Sequence, residues 1–214
     1  MRKIICLATT VLLLAEIATA QDAPKEVKND VGFNTAFVLD GILNANGGPF
    51  VFVYKRQLAP NKALRYGVSF NINLNRQSGS QGNYTIQDFV NVNPSFGKEW
   101  QNQLTKRWIW YYGGDIRAFI WQHSFGIYQN NQQNIRQENN SYGLSIAPFL
   151  GLRFAISERL YAATEASLNV GYRYQNNIER QFTGGVQTNS SQNSFNSFSA
   201  NTASAIGIFI FYRF

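Results

Sequence analysis

Residues 64–75 alternate without a break: Leu64, Tyr66, Val68, Phe70, Ile72 and Leu74 take one parity, and Arg65, Gly67, Ser69, Asn71, Asn73 and Asn75 the other. Successive side chains leave a strand on opposite faces, so this period of two predicts a strand with one apolar and one polar face. The pattern recurs at 108–120, where Trp108, Trp110, Tyr112, Ile116 and Ile120 oppose Asp115 and Arg117, and again at 142–156, 160–174 and 206–214. Residues 31–43 fit as a first strand and 90–100 as a weaker one. Residues 50–57 are apolar on both parities, which leaves their phase open. The result is an all-β chain of eight strands.

Space decides which face points inward. Six of the strands carry large apolar residues on a single parity, more than the narrow interior of an eight-stranded barrel holds. Gly67, Gly97, Gly113, Gly143, Gly151, Gly171 and Gly207 all fall on the polar parity, where room is short. The polar face is therefore predicted inside and the apolar face against lipid, since water does not tolerate so large an apolar patch. A closed ring also satisfies every backbone polar group, as a spanning sheet must. The predicted fold is an eight-stranded antiparallel transmembrane β-barrel. Pro94 and Pro148 fall within strands, where each forfeits a ladder hydrogen bond, and local bulges are expected there.

The start of the chain reads as an export signal. Arg2 and Lys3 precede an apolar run, and Ala18-Thr19-Ala20 supplies a small-residue cleavage site. The run is too short to span a bilayer. The expected organisation is a cleaved signal peptide at 1–20, a short periplasmic segment at 21–30 and the barrel at 31–214. Cys6 lies inside the signal peptide, so the exported chain has no cysteine and neither disulfide nor thiolate chemistry is expected.

Connection lengths set the orientation. Short links fall near 59–62, 101–107 and 157–159, and longer polar links at 76–88, 122–141 and 175–199, an alternation of periplasmic turns and outer loops. A brief first outer loop is placed near 44–48. Each of the three long loops holds one basic and one acidic residue, so the outer surface is neutral and little attraction to nucleic acid is expected. The positive charge of the chain lies in the lumen and at the periplasmic end, with Lys25, Lys28, Arg56, Lys62, Lys106, Arg107 and Arg159. That rim either suits anionic phospholipid headgroups or is simply solvated.

The last strand ends Gly207-Ile208-Phe209-Ile210-Phe211-Tyr212-Arg213-Phe214. With the signal peptide, the strand count and the alternating links, it resembles the eight-stranded outer-membrane protein A and X type of barrel over residues 31–214. Gly207, Ile210, Tyr212 and the terminal Phe214 match the assembly signal of that family, and Ala205 departs from it where a polar residue is usual. The resemblance implies residence in the outer membrane of a Gram-negative bacterium, with its lipopolysaccharide and phospholipid as surroundings. It also implies delivery by the barrel assembly machinery. Members serve structural, adhesive, lipid-binding or enzymatic roles, so the fold does not choose among them.

Candidate chemistry is sparse. His123 precedes Ser124 at the outer end of the fifth strand, and lipid A deacylases use a His and Ser pair. Adjacent strand residues point to opposite faces, however, and that family separates its pair by one residue. A single histidine and no clustered carboxylates leave no metal site, and no cofactor is expected. Trp100, Trp108, Trp110, Trp121, Tyr161 and Tyr172 read as interfacial girdles rather than a sugar platform. The polar face carries Glu99, Asp115, Arg117, Arg153, Glu165 and Arg173, with Asp40 and Arg65 nearer the rims. Buried charges need partners, so these are expected to pair and fill the lumen. The expectation is a non-enzymatic barrel serving envelope structure or surface contact through its outer loops, with an extracellular ligand left unnamed. The alternatives are a narrow pore for small solutes or ions and a lipid A-modifying enzyme.

Overall fold

A computed structural model of the chain describes residues 28–35, 50–79, 82–203 and 208–214. The signal-peptide and periplasmic expectations lie mostly outside them, as do Asp40, Gly207, the brief first outer loop and the far end of the first strand. The strands are β1 (Asn29–Asn34), β2 (Phe50–Ala59), β3 (Lys62–Ser78), β4 (Tyr84–Gln103), β5 (Trp108–Gln129), β6 (Gln132–Ala155), β7 (Leu160–Thr183), β8 (Val186–Ala203) and β9 (Ile208–Arg213). Each pairs antiparallel with its sequence neighbour from β1 through β8, and β9 pairs with both β7 and β1. β7 holds β9 along 160–164 and β8 along 167–183, so β8 and β9 share one place in the ring. Eight positions close on themselves.

The seam is made by the chain end. Asp30 through Asn34 pair with Arg213 through Phe209, and beyond them Asn29 and Phe214 exchange two backbone hydrogen bonds of 2.9 Å. That closure satisfies donors and acceptors that hydrocarbon leaves without partners.

The two faces divide as their parity predicts. Ile72, Leu74, Ile116, Leu144, Ile146 and Leu150 are among the exposed apolar residues of the outer surface, while Ala63, Glu99, Asp115 and Ala147 are buried in the lumen. β2 resolves its open phase in the same sense: Val53, Lys55 and Gln57 face in and are buried, and Phe52 is exposed. On β6 the apolar belt runs from Phe154 to Tyr142. At about 3.3 Å per residue and a tilt of roughly 40°, that is a belt about 30 Å tall, the thickness of a bilayer core.

Two expectations change. The pairing skips Asn93 and Pro94 against β5, and Ala147 and Pro148 against β7, yet the register is the same on either side. Each proline directs its missing donor to one neighbour and keeps its place beside the other, Pro94 with Val68 and Pro148 with Gly114. No bulge is needed. Register shifts fall instead between Gln57 and Ala59, Ile127 and Tyr128, and Gln181 and Phe182.

The second change concerns the long polar links. Those at 122–141 and 175–199 are not loops but continuations of the strands beyond the belt, paired as far as Gln129 with Gln132 and Thr183 with Val186, and in the first link Ser78 still pairs with Tyr84. Asn130-Asn131 and Gly184-Gly185 close these hairpins with positive φ at both residues, the geometry that two-residue turns favour because it follows the strand twist. Polar side chains on both faces suit a ribbon standing in water. At the opposite end the turns are short: Thr105 Oγ1 accepts from the Trp108 amide at 3.1 Å, and Ser157 Oγ from the Leu160 amide at 3.0 Å.

Ile146, at the middle of the belt, is 64 % exposed on the outer surface. Ile146→Arg is expected to cost about 2–4 kcal/mol in lipid vesicles, as an arginine does near the bilayer midplane. Urea titration measures it, and an unchanged midpoint overturns the outward assignment.

Candidate functional site

The lumen is built by registration. Lys55 on β2 pairs with Arg65 on β3, Arg65 with Gly97 on β4, and Gly97 with Asp115 on β5. These four inward residues therefore form one row across neighbouring strands. Gly97 in the middle makes room for Asp115, whose carboxylate a Cβ there would meet.

Arg65 is the hub. Its guanidinium lies 2.8 Å from Glu165, 3.4 Å from Glu99 and 3.7 Å from Asp115. Lys55 donates to Glu99 at 2.7 Å, and Gln101 donates to the second oxygen of the same carboxylate at 2.8 Å. Arg117 extends the network upward, donating to Asn169 at 2.7 Å and to Asp115 at 3.4 Å. Lys55, Arg65 and Arg117 thus face Glu99, Asp115 and Glu165, three charges of each sign.

Aromatic rings pack the space around the charges. Lys55 Nζ lies 4.7 Å from the centre of the Tyr111 ring and 4.5 Å from that of Phe211, and Arg65 stacks 3.8 Å over Phe149. Cations gain from aromatic faces most where water is scarce. Tyr111, Phe149, Tyr161 and Phe211 form the buried cluster with Val53 and Ala163. Three of these rings lie over glycines with which they pair in register: Tyr111 over Gly151, Phe149 over Gly113 and Phe211 over Gly32. A narrow ring has room for a large side chain only where its neighbour has none.

A second charge cluster lies at the short-turn end. Asp30, fully buried, accepts from Arg213 Nε at 2.6 Å and Nη2 at 3.0 Å, from Tyr161 at 2.9 Å and from Gln57 at 3.2 Å. It ties β1, β2, β7 and β9 together across the seam.

Among the six lumen charges singled out from sequence, Glu99, Asp115, Glu165 and Arg117 share this network. Arg153 and Arg173 do not. Arg153 lies over the Tyr161 ring at 4.6 Å and Arg173 over Phe119 at 4.9 Å, and neither pairs with a carboxylate among the described residues. Arg65, placed near the rim from sequence, is central. Lys55 was missed because its strand was apolar on both faces; its register opposite Arg65 is the signal that places it. Two girdle residues also move: Tyr161 is buried within the lumen, and Trp121 faces the cavity above it. Both have the inward parity. Of the assembly-signal residues, Ile210 and Tyr212 face outward and Phe214 joins the seam.

His123 has the lumen parity and Ser124 the opposite one. The imidazole Nε2 is 3.3 Å from the Gln87 amide nitrogen and its ring neighbours Trp121, so the histidine and the serine do not converge. Among the described residues no group of His, Cys, Asp and Glu is placed to hold a metal.

Above the plug the lumen opens. A cavity of about 730 Å³, walled by Asn and Ser together with Val51, Val53 and Phe209, has Arg65, Asp115 and Glu165 at its floor and Phe119, Trp121 and Arg173 higher up. The lumen is filled on the short-turn side and hollow on the hairpin side, which corrects the expectation of a uniformly packed interior.

Among solved structures, the chain is similar to a major outer membrane protein from Thermus thermophilus, with a TM-score of 0.54 and 15 % identity over 88 % of this chain and all of that one. That likeness carries the fold, a barrel of the outer-membrane type. CarO of Acinetobacter baumannii aligns over 90 % of this chain and 98 % of its own at 14 % identity, but its TM-score of 0.35 is too low to bear on the argument. No protein-family model and no curated protein sequence matches the chain.

Breaking the plug should be costly in a particular order. Glu99→Gln leaves the fully buried Lys55 without its carboxylate and is expected to cost about 3–5 kcal/mol. Lys55→Met leaves Arg65 and Gln101 on Glu99 and should cost less, and Lys55→Met with Glu99→Gln should recover part of the larger loss. Chemical denaturation of the folded barrel gives all three values. Equal, small effects for the two single variants would contradict the pairing.

Proposed function

We propose that the chain is a bacterial outer-membrane barrel that works without catalysis, closed to solute flow by its charged plug and presenting its long hairpins at the cell surface. The observation that carries this reading is the fully buried Lys55–Glu99 pair, braced by Arg65, Tyr111 and Phe211. A continuous water column has no place where an ammonium group and a carboxylate are both shielded from solvent. Residence in the outer membrane is supported by the apolar belt, by the fold likeness and by the export signal read from sequence.

The hairpins suit surface contact or envelope structure. They rise well beyond the belt, and their charges are neutralised locally: Arg136 and Arg180 both hold Glu138, at 2.6 and 3.1 Å. At the other end Lys62, Lys106, Arg107 and Arg159 are exposed on or beside short turns, a placement that suits anionic phospholipid headgroups. A histidine-dependent lipid A chemistry finds no support in the divergent His123 and Ser124.

The cavity above the plug favours a second reading, a narrow pore whose plug opens. Single-channel recording in planar bilayers separates the two. The plugged barrel is expected to show no reproducible open state, and a stable conductance of the native chain would establish the pore instead.

The terminal Phe214 is 61 % exposed and holds the seam through its backbone. By its resemblance to the family signal, it serves recognition by the assembly machinery. A chain ending at Arg213 is expected to lose outer-membrane abundance several-fold while refolding in detergent with nearly native stability. Normal abundance in cells would refute that role.

A further inference from the structure

The cavity on the hairpin side has an electrostatic imbalance that the plug below it lacks. Its floor carboxylates are already engaged, Glu165 with Arg65 at 2.8 Å and Asp115 with Arg65 and Arg117 at 3.7 and 3.4 Å. Arg173 faces the same space and is exposed to it, and no carboxylate among the described residues pairs with it. It lies instead against the Phe119 ring at 4.9 Å, reached across Gly143, with which both residues pair in register. Arg117 Nη1 turns away from the carboxylates to Asn169. Among the described residues the cavity therefore holds one cation more than its carboxylates answer.

The walls add a second property. Ser69 and Asn93 on one side, and Ser145, Ser167 and Asn169 on the other, present hydroxyl and amide groups, with Val51, Val53 and Phe209 adding apolar surface beside them. Trp121 stands one inward level above Phe119 on β5, so a second aromatic side chain lines the same space. The volume of about 730 Å³ lies within the ~300–1,000 Å³ usual for small-molecule sites. A cation, hydrogen-bonding groups and aromatic side chains on the walls are the complement of a small hydroxylated anion.

We propose that this cavity is a binding site for a small hydroxylated anion, of the size of a sugar acid, held by Arg173 and Arg117 and entered from the hairpin end. Arg173 supplies the charge–charge contact, Arg117 and Asn169 meet the same ligand from below, and Ser and Asn side chains receive its hydroxyls. The proposal deepens the plugged-barrel reading only in saying which end solutes enter. Binding to the isolated barrel does not depend on where the protein resides or whether it conducts.

The test uses the purified full-length barrel in detergent, with glucuronate as the probe and glucose and acetate as controls, read by calorimetry and by tryptophan fluorescence. Glucuronate is expected to bind saturably, with glucose and acetate each at least about tenfold weaker. Arg173→Gln is expected to weaken glucuronate at least about tenfold and to leave the weak glucose response unchanged, while Arg173→Lys retains more affinity than Arg173→Gln. Trp121→Phe should remove most of the fluorescence change and keep the calorimetric signal. Equal binding of glucose and glucuronate, equal binding of acetate, the absence of saturation, or undiminished affinity in Arg173→Gln would each overturn the proposal.

Discussion

Hydrocarbon offers no hydrogen bonds, and that one fact governs this molecule. Every amide and carbonyl at bilayer depth must find its partner within the protein, which a sheet achieves only by closing. Closure here depends on β9 reaching β1, and on Asn29 and Phe214 pairing backbone to backbone at the seam. Once eight strands close, the interior is narrow, and its contents follow from its width. Glycines stand where aromatic rings lie over them, and a buried charge stands beside an opposite charge, as Lys55 does with Glu99, or over an aromatic face, as Arg153 does with Tyr161.

The plug is best understood as a consequence of width and dielectric together. A lumen this tight excludes most water, so an isolated carboxylate inside it is expensive. Arg65 answers three carboxylates at once because a planar guanidinium offers donors in several directions, which a lysine in its place does not. Lys55 is suited to the complementary task, a single close contact to Glu99 with its stem and head enclosed by Tyr111 and Phe211. Hydrophobic packing and ion pairing here occupy the same small volume and are not separable layers.

Much of the barrel was legible in the sequence because period-two patterning is a local property. The parity of Leu64 to Leu74 decided inside from outside, and Gly97, Gly113 and Gly151 marked where the lumen is crowded. What the sequence concealed depends on register, which is not local. Lys55 was invisible because Val51, Val53, Phe50 and Phe52 blurred the parity of its strand, and Arg65 looked peripheral until its pairing with Lys55 and Gly97 fixed its height. Tyr161 and Trp121 have the residue type of an interfacial girdle but the parity of the lumen, and parity decides their place. The long polar links hid their strands because both faces meet water there, so alternation of polarity vanishes while hydrogen bonding continues.

The origins of the plug residues bear on how such a chain reaches the membrane. Asp30, Lys55, Arg65, Glu99, Asp115, Glu165 and Arg213 come from seven different strands, and the Arg65–Glu165 and Arg213–Asp30 contacts join residues 100 and 183 positions apart. An open, partly assembled sheet can pair Lys55 with Glu99 but leaves Glu165, Asp30 and Arg213 unanswered. Lowering such a sheet into lipid strand by strand would expose those charges to hydrocarbon before their partners arrive. Curling and insertion must then proceed together, with the ion pairs completed only as the last strand docks on the first. The same network that fills the finished barrel thereby makes every incomplete barrel unwelcome in the bilayer.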